Sequence, residues 1–413
     1  MSLFDLVSIL LSLAALFAYF NHRFIGLPNG IGIMLIGLLM SLCLVAMNKL
    51  GWIETAAIAD VVSQIDFDEA VMNGMLSFLL FAGALHVNIN RLAKVKDTIA
   101  ILATIGVVIS SVIISVVSFY IFQFFGIEIP YIYCLVFGVL ISPTDPIAVM
   151  GILKKVGAPK SIEVKITGES LFNDGVAVVL FIAVLGVATG QSEASFSGVS
   201  LLFLQEAVGG AVFGIALGYA GYFMLKSIDN YQVEVLITIA MVTGGYALAQ
   251  YLHLSGPIAI VIAGLMTGNQ GRMLAMSDMT RDRLDNFWEL IDEVLNAVLF
   301  LLIGVEILLI QFLPSYIYSA LLIIPLVIVA RFISVGLPVS ILKFKNTYSP
   351  HAIKILTWGG LRGGISVALV LSLPPGPYRE PLIAATYAVV LFSILVQGLT
   401  VGRVAAMAKQ ESE

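Results

Sequence analysis

The sequence predicts an all-α polytopic membrane protein of about thirteen transmembrane helices, two of them interrupted, and three observations carry that reading. Of 413 residues, 60% are hydrophobic and only 11% charged, against roughly 25% charged in a soluble domain. Apolar runs of about 20 residues recur from end to end, each long enough to cross about 30 Å of hydrocarbon as a helix. In that medium helices and closed barrels are the spanning structures that satisfy their own backbone. The basic residues, finally, alternate in phase with the runs.

In order, the runs fall at roughly 3–21, 28–48, 70–89, 98–125, 131–152, 163–189, 198–225, 233–253, 256–270, 291–312, 315–342, 352–373 and 381–402. The first carries an acidic residue and no basic leader, so it is expected to be a retained span and not a cleaved signal peptide. Segment 52–69 is expected to be an external loop with a short surface helix. Segment 272–290 mixes charge with apolar residues as an interfacial cytoplasmic helix would. Cys43 and Cys134 both lie inside apolar runs and suggest neither a disulfide nor a metal site.

Lys and Arg near span ends prefer the cytoplasm. Every odd-numbered run is followed by basic residues: Arg23; Arg91, Lys94 and Lys96; Lys154, Lys155, Lys160 and Lys165; Lys226; Arg272, Arg281 and Arg283; Lys343, Lys345 and Lys354; Arg403 and Lys409. These are seventeen of the 21 basic residues. Loops after even-numbered runs hold only Lys49 and Arg379 beside several acids. The N-terminus is therefore expected outside and the C-terminus in the cytoplasm.

Seven charges remain inside apparent spans: Asp145, Glu169, Asp174, Glu206, Glu306, Arg331 and Arg362. Burying each costs about 2.5–3.5 kcal/mol on insertion scales, so each asks for a partner or a water-filled cavity. Glu206 and Glu306 stand alone in apolar text, where an interface or a structural hydrogen bond would serve. Arg331, in IVARFISVG, is free to pair with one of the acids or with a lipid headgroup.

The remaining four sit in unusual surroundings. In GESLFNDG (168–175), residues four apart share a helix face, so Glu169 stacks with Asn173 and Ser170 with Asp174. A carboxylate desolvated between apolar spans can hold a proton or a small cation and seldom both. In SPTDP (142–146), Pro143 and Pro146 remove backbone donors and obstruct the helix, releasing carbonyls around Thr144 and Asp145. In GGLRGG (359–364), four glycines flank Leu361 and Arg362. If runs 1–6 and 8–13 form an inverted repeat, these two interruptions correspond, as in transporters whose broken helices meet at mid-membrane.

SPTDPIAV, GESLFNDG and GGLRGG, in that order across the whole membrane region, closely resemble the monovalent cation:proton antiporters of the NhaP/NHE type, in their electroneutral Asn-Asp branch. The resemblance implies a NhaA/NapA-like antiporter fold with inverted repeats, in which 1–96 and 231–312 form a dimerisation domain. It implies a linker span within 191–230, a core ion-transport domain from 97–190 and 313–413, and a homodimer. Residue by residue, it implies that Na⁺ and H⁺ alternate at Asp174 and that Na⁺ is held by Asp174, Asp145, Thr144 and Ser170. Asn173 stands where an electrogenic branch has a second aspartate, and Glu169 and Arg362 are expected to form a buried ion pair supporting Asn173. One departure is Ala82, in FLLFAGALHVN, where many NhaP relatives carry a glutamate. His86, one turn on, is expected to be a packing or interfacial histidine.

The expected activity is therefore electroneutral 1:1 exchange of Na⁺ or Li⁺ for H⁺ in the cell (inner or plasma) membrane, driven by alternating access, with pH and sodium homeostasis as its use. The same oxygen ligands suit K⁺/H⁺ exchange. A channel does not need a titratable residue beside a helix break, and the GxGD signature of intramembrane aspartyl proteases is missing. There is no P-loop and no GxGxxG with a nucleotide domain, so neither enzymatic activity, a cofactor nor a nucleic-acid partner is expected. Its partners would be monovalent cations, protons, membrane lipid and a second copy of the chain.

Overall fold

The computed structural model describes residues 3–52, 67–157, 160–191, 196–309, 313–342 and 351–410. Most of the expected external segment 52–69 lies outside them. The described chain is helical throughout: α1 (Leu3–Phe20), α2 (Asn29–Lys49), α3 (Leu76–Leu85), α4 (Lys96–Phe124), α5 (Tyr131–Leu140), α6 (Ile147–Val156), α7 (Lys160–Ala188) and α8 (Phe196–Lys226). It continues with α9 (Tyr231–Tyr251), α10 (Gly256–Met266), α11 (Asp278–Val305), α12 (Pro314–Leu342), α13 (Ala352–Trp358), α14 (Gly364–Leu371) and α15 (Arg379–Ala406). Pairs α5/α6 and α13/α14 are halves of interrupted crossings at the two places where the proline and glycine motifs predict them. Among the described residues, eight helices are long and apolar enough to cross a membrane unaided, and the protein is a multi-pass membrane protein.

Short polar residues start several helices where the sequence leaves a span. Asn230 caps α9, its Oδ1 accepting the N–H groups of Gln232 and Val233 at 3.1 and 3.4 Å. Ser255 does the same for α10, with Pro257 in the first turn. Inside α12, Pro325 and Pro338 each remove a backbone donor. Membrane helices tolerate this because neighbouring groups re-satisfy the freed carbonyls.

The helices sort into two packed groups. In one, α11 lies against α1, α2 and α3, while α10 packs between α3, α8 and α9. Trp288 of α11 is fully buried there, its ring 4.7 Å from that of Phe81, and its Nε1–H donates to Thr238 Oγ1 at 3.1 Å. That bond joins α11 to α9 through an aromatic anchor whose truncation would cost about 3–5 kcal/mol. In the other group, α4, α5, α7, α12 and α15 pack on one another and enclose the two interruptions. Gly138 lets α5 lie directly on α4, since a Cβ at that position would overlap the carbonyl oxygen of Ser111.

One expected element differs. Segment 272–290 is not a separate interfacial helix: after a break at Ala275–Ser277, a single helix runs from Asp278 to Val305, started by Ser277 Oγ accepting the N–H of Thr280 at 3.4 Å. Thr280, Leu284 and Trp288 are buried at spacings of four, so one continuous apolar stripe carries the charged first half into the bundle.

Candidate ion-exchange site

Helix α5 stops at Leu140 and the chain runs unwound to Pro146 before α6 begins. Two prolines within four residues forbid the helical hydrogen bonds there. On the other side α13 stops at Trp358 and α14 resumes at Gly364. The two unwound stretches cross antiparallel, and the N–H of Asp145 donates to the carbonyl of Leu361 at 2.8 Å. This is the one isolated bridge among the described residues of an otherwise helical protein. The crossing demands glycine: a Cβ at Gly363 would overlap the carboxylate of Asp145, and one at Gly360 would overlap the guanidinium of Arg331.

A helix that ends inside hydrocarbon leaves carbonyls without donors and a partial negative charge. Both upstream halves meet an arginine. Arg362, 1% exposed, donates through Nη1 to the carbonyls of Ser142 and Pro143, the latter at 2.8 Å. Arg331, reaching from α12, donates through Nη2 to the carbonyl of Leu356 in α13 at 3.2 Å. The same guanidinium holds Glu169 with both nitrogens, Nη2 to Oε2 at 2.9 Å and Nη1 to Oε1.

This corrects one expectation. Glu169 pairs with Arg331 and not with Arg362. The resemblance places an arginine opposite Glu169, and two buried arginines stand near it; Arg362 is committed to the carbonyl ends of α5, which leaves the bidentate acid to Arg331. Arg331 is thus neither lipid-facing nor isolated.

Beside the crossing, α7 presents the two stripes its spacing predicts. On one, Asn173, fully buried, donates from Nδ2 to Thr144 Oγ1 at 2.9 Å, and its Oδ1 accepts the N–H of Thr144 at 3.4 Å. The adjoining stripe brings Ser170 Oγ to 2.9 Å from Thr144 Oγ1. Asp174, one turn further along α7, is 6% exposed and within electrostatic reach of Asp145. The structure therefore gathers Thr144, Asp145, Ser170, Asn173 and Asp174 at one place, with Glu169 one turn away on its arginine.

Asp145 and Asp174 face a cavity of about 820 Å³ that lies between the two packed groups of helices. Its lining also includes Arg91 and Glu163, and with them Ala82, His86, Asp292, Asn296 and Ser366. The last three escape a reading of sequence: Asp292 and Asn296 fall at the charged entrance of the expected span 291–312, and Ser366 sits in the apolar text of α14. Once Asp278–Val305 is one helix, the i, i+4 spacing of Asp292 and Asn296 puts them on one face. Among the described residues, no group of three or more His, Cys, Asp or Glu side chains is close enough to hold a metal ion by itself. Elsewhere, Glu306 is 7% exposed with the charge of Arg379 near it, and Glu206 is half-buried near His253.

The profile of the family described as "Sodium/hydrogen exchanger, transmembrane" matches residues 11–407. The Na⁺/H⁺ antiporter NhaP of Pseudomonas aeruginosa is 50% identical over 403 residues, covering 96% of this chain and 95% of its own. The Na⁺/H⁺ antiporter NhaH of Halobacillus aidingensis is 36% identical over 380 residues, 90% of each chain. Among solved structures, the sodium proton antiporter MjNhaP1 of Methanocaldococcus jannaschii at pH 8 superposes with a TM-score of 0.76 at 21% identity, covering 98% of this chain and 99% of the other, which establishes the common fold. With the helix crossing, the acidic pair beside it and this match along nearly the whole chain, the protein belongs to the transmembrane sodium/hydrogen exchanger family.

Proposed function

We propose that the protein exchanges Na⁺ or Li⁺ for H⁺ across the cell membrane, one for one, with Asp174 as the shared carrier. The observation that carries this is the position of Asp174. It is a buried carboxylate lining a large cavity, beside an interrupted helix crossing and next to the charge of Asp145. A proton or a cation neutralises such a group, whereas the empty charged form is costly to move through a desolvated position. Competition between the two therefore couples their fluxes. Asn173 carries no charge and is occupied by Thr144, so a single carboxylate changes state in each half-cycle and equal charge moves each way.

The cation in this reading is substrate, held by Asp174, Asp145, Thr144 and Ser170. Hard alkali cations take oxygen ligands, and the carboxylates, hydroxyls and carbonyls freed by Pro143 and Pro146 provide that set. Glu169 and Arg331 brace α7 against α12 and α13, while Arg362 holds the end of α5. The group α4–α7 with α12–α15 is the moving core. Helices α1–α3 and α9–α11 form the stationary dimerisation domain, with α8 as linker. In the orientation given by the basic loops, the cavity opens to the cytoplasm, on the side of Arg91 and Glu163. No cofactor takes part.

Proteoliposomes loaded with a pH indicator provide the test, with Na⁺, Li⁺ or K⁺ added under clamped and released membrane potential. Cation-triggered proton flux that ignores the potential is expected, with Na⁺ and Li⁺ effective at lower concentration than K⁺. The Asp174→Asn protein, normally inserted, should lose the flux entirely. Substantial exchange remaining in that variant would exclude Asp174 as the shared carrier.

A further inference from the structure

Across the cavity from Asp145 and Asp174, the wall belongs to α11. There Asp292 and Asn296 stand one turn apart, both lining the cavity, with the Asn296 amide within reach of the Asp292 carboxylate. The amide group has a second polar atom. Asn296 is 6% exposed, and its Oδ1 is buried without any hydrogen-bond partner. A buried acceptor left unpaired costs about 1–3 kcal/mol, and native structures seldom leave one without a reason. On the neighbouring α14, Ser366 repeats the pattern: it lines the same cavity at 1% exposure with an unpartnered Oγ. Helices α11 and α14 are in direct contact, Gly364 lying so close to Leu299 that a Cβ there would overlap its side chain.

We propose that Asp292 and Asn296 Oδ1 form an outer binding site for a partly hydrated monovalent cation, with Ser366 Oγ as the next oxygen on the way to Asp145 and Asp174. The chemistry suits a waiting position and not a tight one. One carboxylate, one amide oxygen and water neutralise a single positive charge without dehydrating it fully. The absence, among the described residues, of any group of three acidic, His or Cys side chains that could hold a metal ion argues against a divalent site there. Asp292 remains within electrostatic reach of Asp145, so a cation at the outer site is attracted inward as soon as the inner carboxylates are free of their ion.

This inference rests on the exchange reading and adds a direction to it. Asp292 belongs to the helix group assigned above as stationary, whereas Asp145 and Asp174 belong to the moving one. The outer site therefore serves one face of the membrane only. When the core carries the inner site to the opposite side, Asp292 stays behind.

The test has two arms. In oriented proteoliposomes, Asp292→Asn should raise the cation concentration for half-maximal exchange about threefold to tenfold when cation is supplied on the side of the cavity mouth, the effect of removing one charge at about 4 Å in a wet cavity. The maximal rate, and the half-maximal concentration on the opposite side, should not move, and Asp292→Glu should restore the wild-type value. An unchanged value on the cavity side, or an equal shift on both sides, overturns the outer site. The second arm is ²³Na line broadening on purified Asp174→Asn protein. Residual broadening is expected there and should vanish on adding Asp292→Asn; its absence from Asp174→Asn alone also overturns the proposal. Wild-type protein that shows no cation-driven flux would remove the exchange reading, and the broadening arm would still decide the outer site.

Discussion

The two interruptions solve one physical problem with opposite chemistry. The break at 141–146 is made by prolines and keeps its side chains: Thr144 and Asp145 sit in the unwound stretch, and the segment is rich in oxygen. The break at 359–363 is made by glycines and gives its space away. Gly360 makes room for Arg331 and Gly363 for Asp145, and the one long side chain it retains, Arg362, reaches across to the carbonyls of the other break. Each upstream half-helix ends on a guanidinium, yet only Arg331 also has an acid. Among the described residues Arg362 makes no ion pair, its positive charge being set against the carbonyl end of α5, with Glu169 the acid within electrostatic reach. The difference teaches that one break keeps the oxygen atoms and the other supplies the space and the positive charge set against them.

Removing the arginine that has an acid should have the largest effect on folding. Arg331→Met strands Glu169 at 1% exposure and frees the Leu356 carbonyl, and loss of one partner of a buried pair costs about 3–5 kcal/mol. Thermal unfolding in detergent should show it, and the double variant with Glu169→Gln should recover most of the loss. If Glu169→Gln worsened the single variant, the pairing with Arg331 would be wrong. Arg362→Met should be milder for stability, at about 2 kcal/mol, because charged hydrogen bonds to two carbonyls are lost while an unpaired buried charge is also relieved. Its larger consequence falls on transport, since the carbonyls of Ser142 and Pro143 are then free to move; exchange should drop at least tenfold in protein that remains folded.

Next comes Gly363→Ala. The added methyl must push Asp145 aside, an overpacking of about 1–3 kcal/mol. The displacement should weaken cation affinity more than it slows maximal exchange, and a variant with wild-type affinity would mean that Asp145 is not a ligand. Smallest in its effect on transport, Asn173→Ala removes both bonds to Thr144, each worth about 1 kcal/mol, and should leave the cycle insensitive to membrane potential. Any newly potential-dependent flux in that variant would show that Asn173 does more than hold Thr144.

These contrasts also mark what the sequence makes legible. Proline and glycine act on their own backbone, so both interruptions and the stripes of α7 can be located from short stretches of text. Basic residues mark loop ends, which gives the order of spans. Arg331 meets Glu169 across 162 positions, and nothing in the text around either residue says which of two buried arginines arrives. Local pattern also fails at Asp292, which looks like an ordinary charge at the mouth of a span. Only the continuity of Asp278–Val305 carries it inward to the cavity, and that continuity is enforced by the packing of Thr280, Leu284 and Trp288, not by the residues next to Asp292.

The hydrogen bond from Asp145 to Leu361 has a mechanical meaning as well. It clasps the two unwound strands in fixed register, so that a slip of one residue on either would swing Asp145 to the opposite face and break the fit at Gly363. Asp145 and the arginine that steadies the helix end are thereby fastened into a single cradle. Any displacement of one unwound stretch must therefore carry the other with it, acid and arginine as one piece.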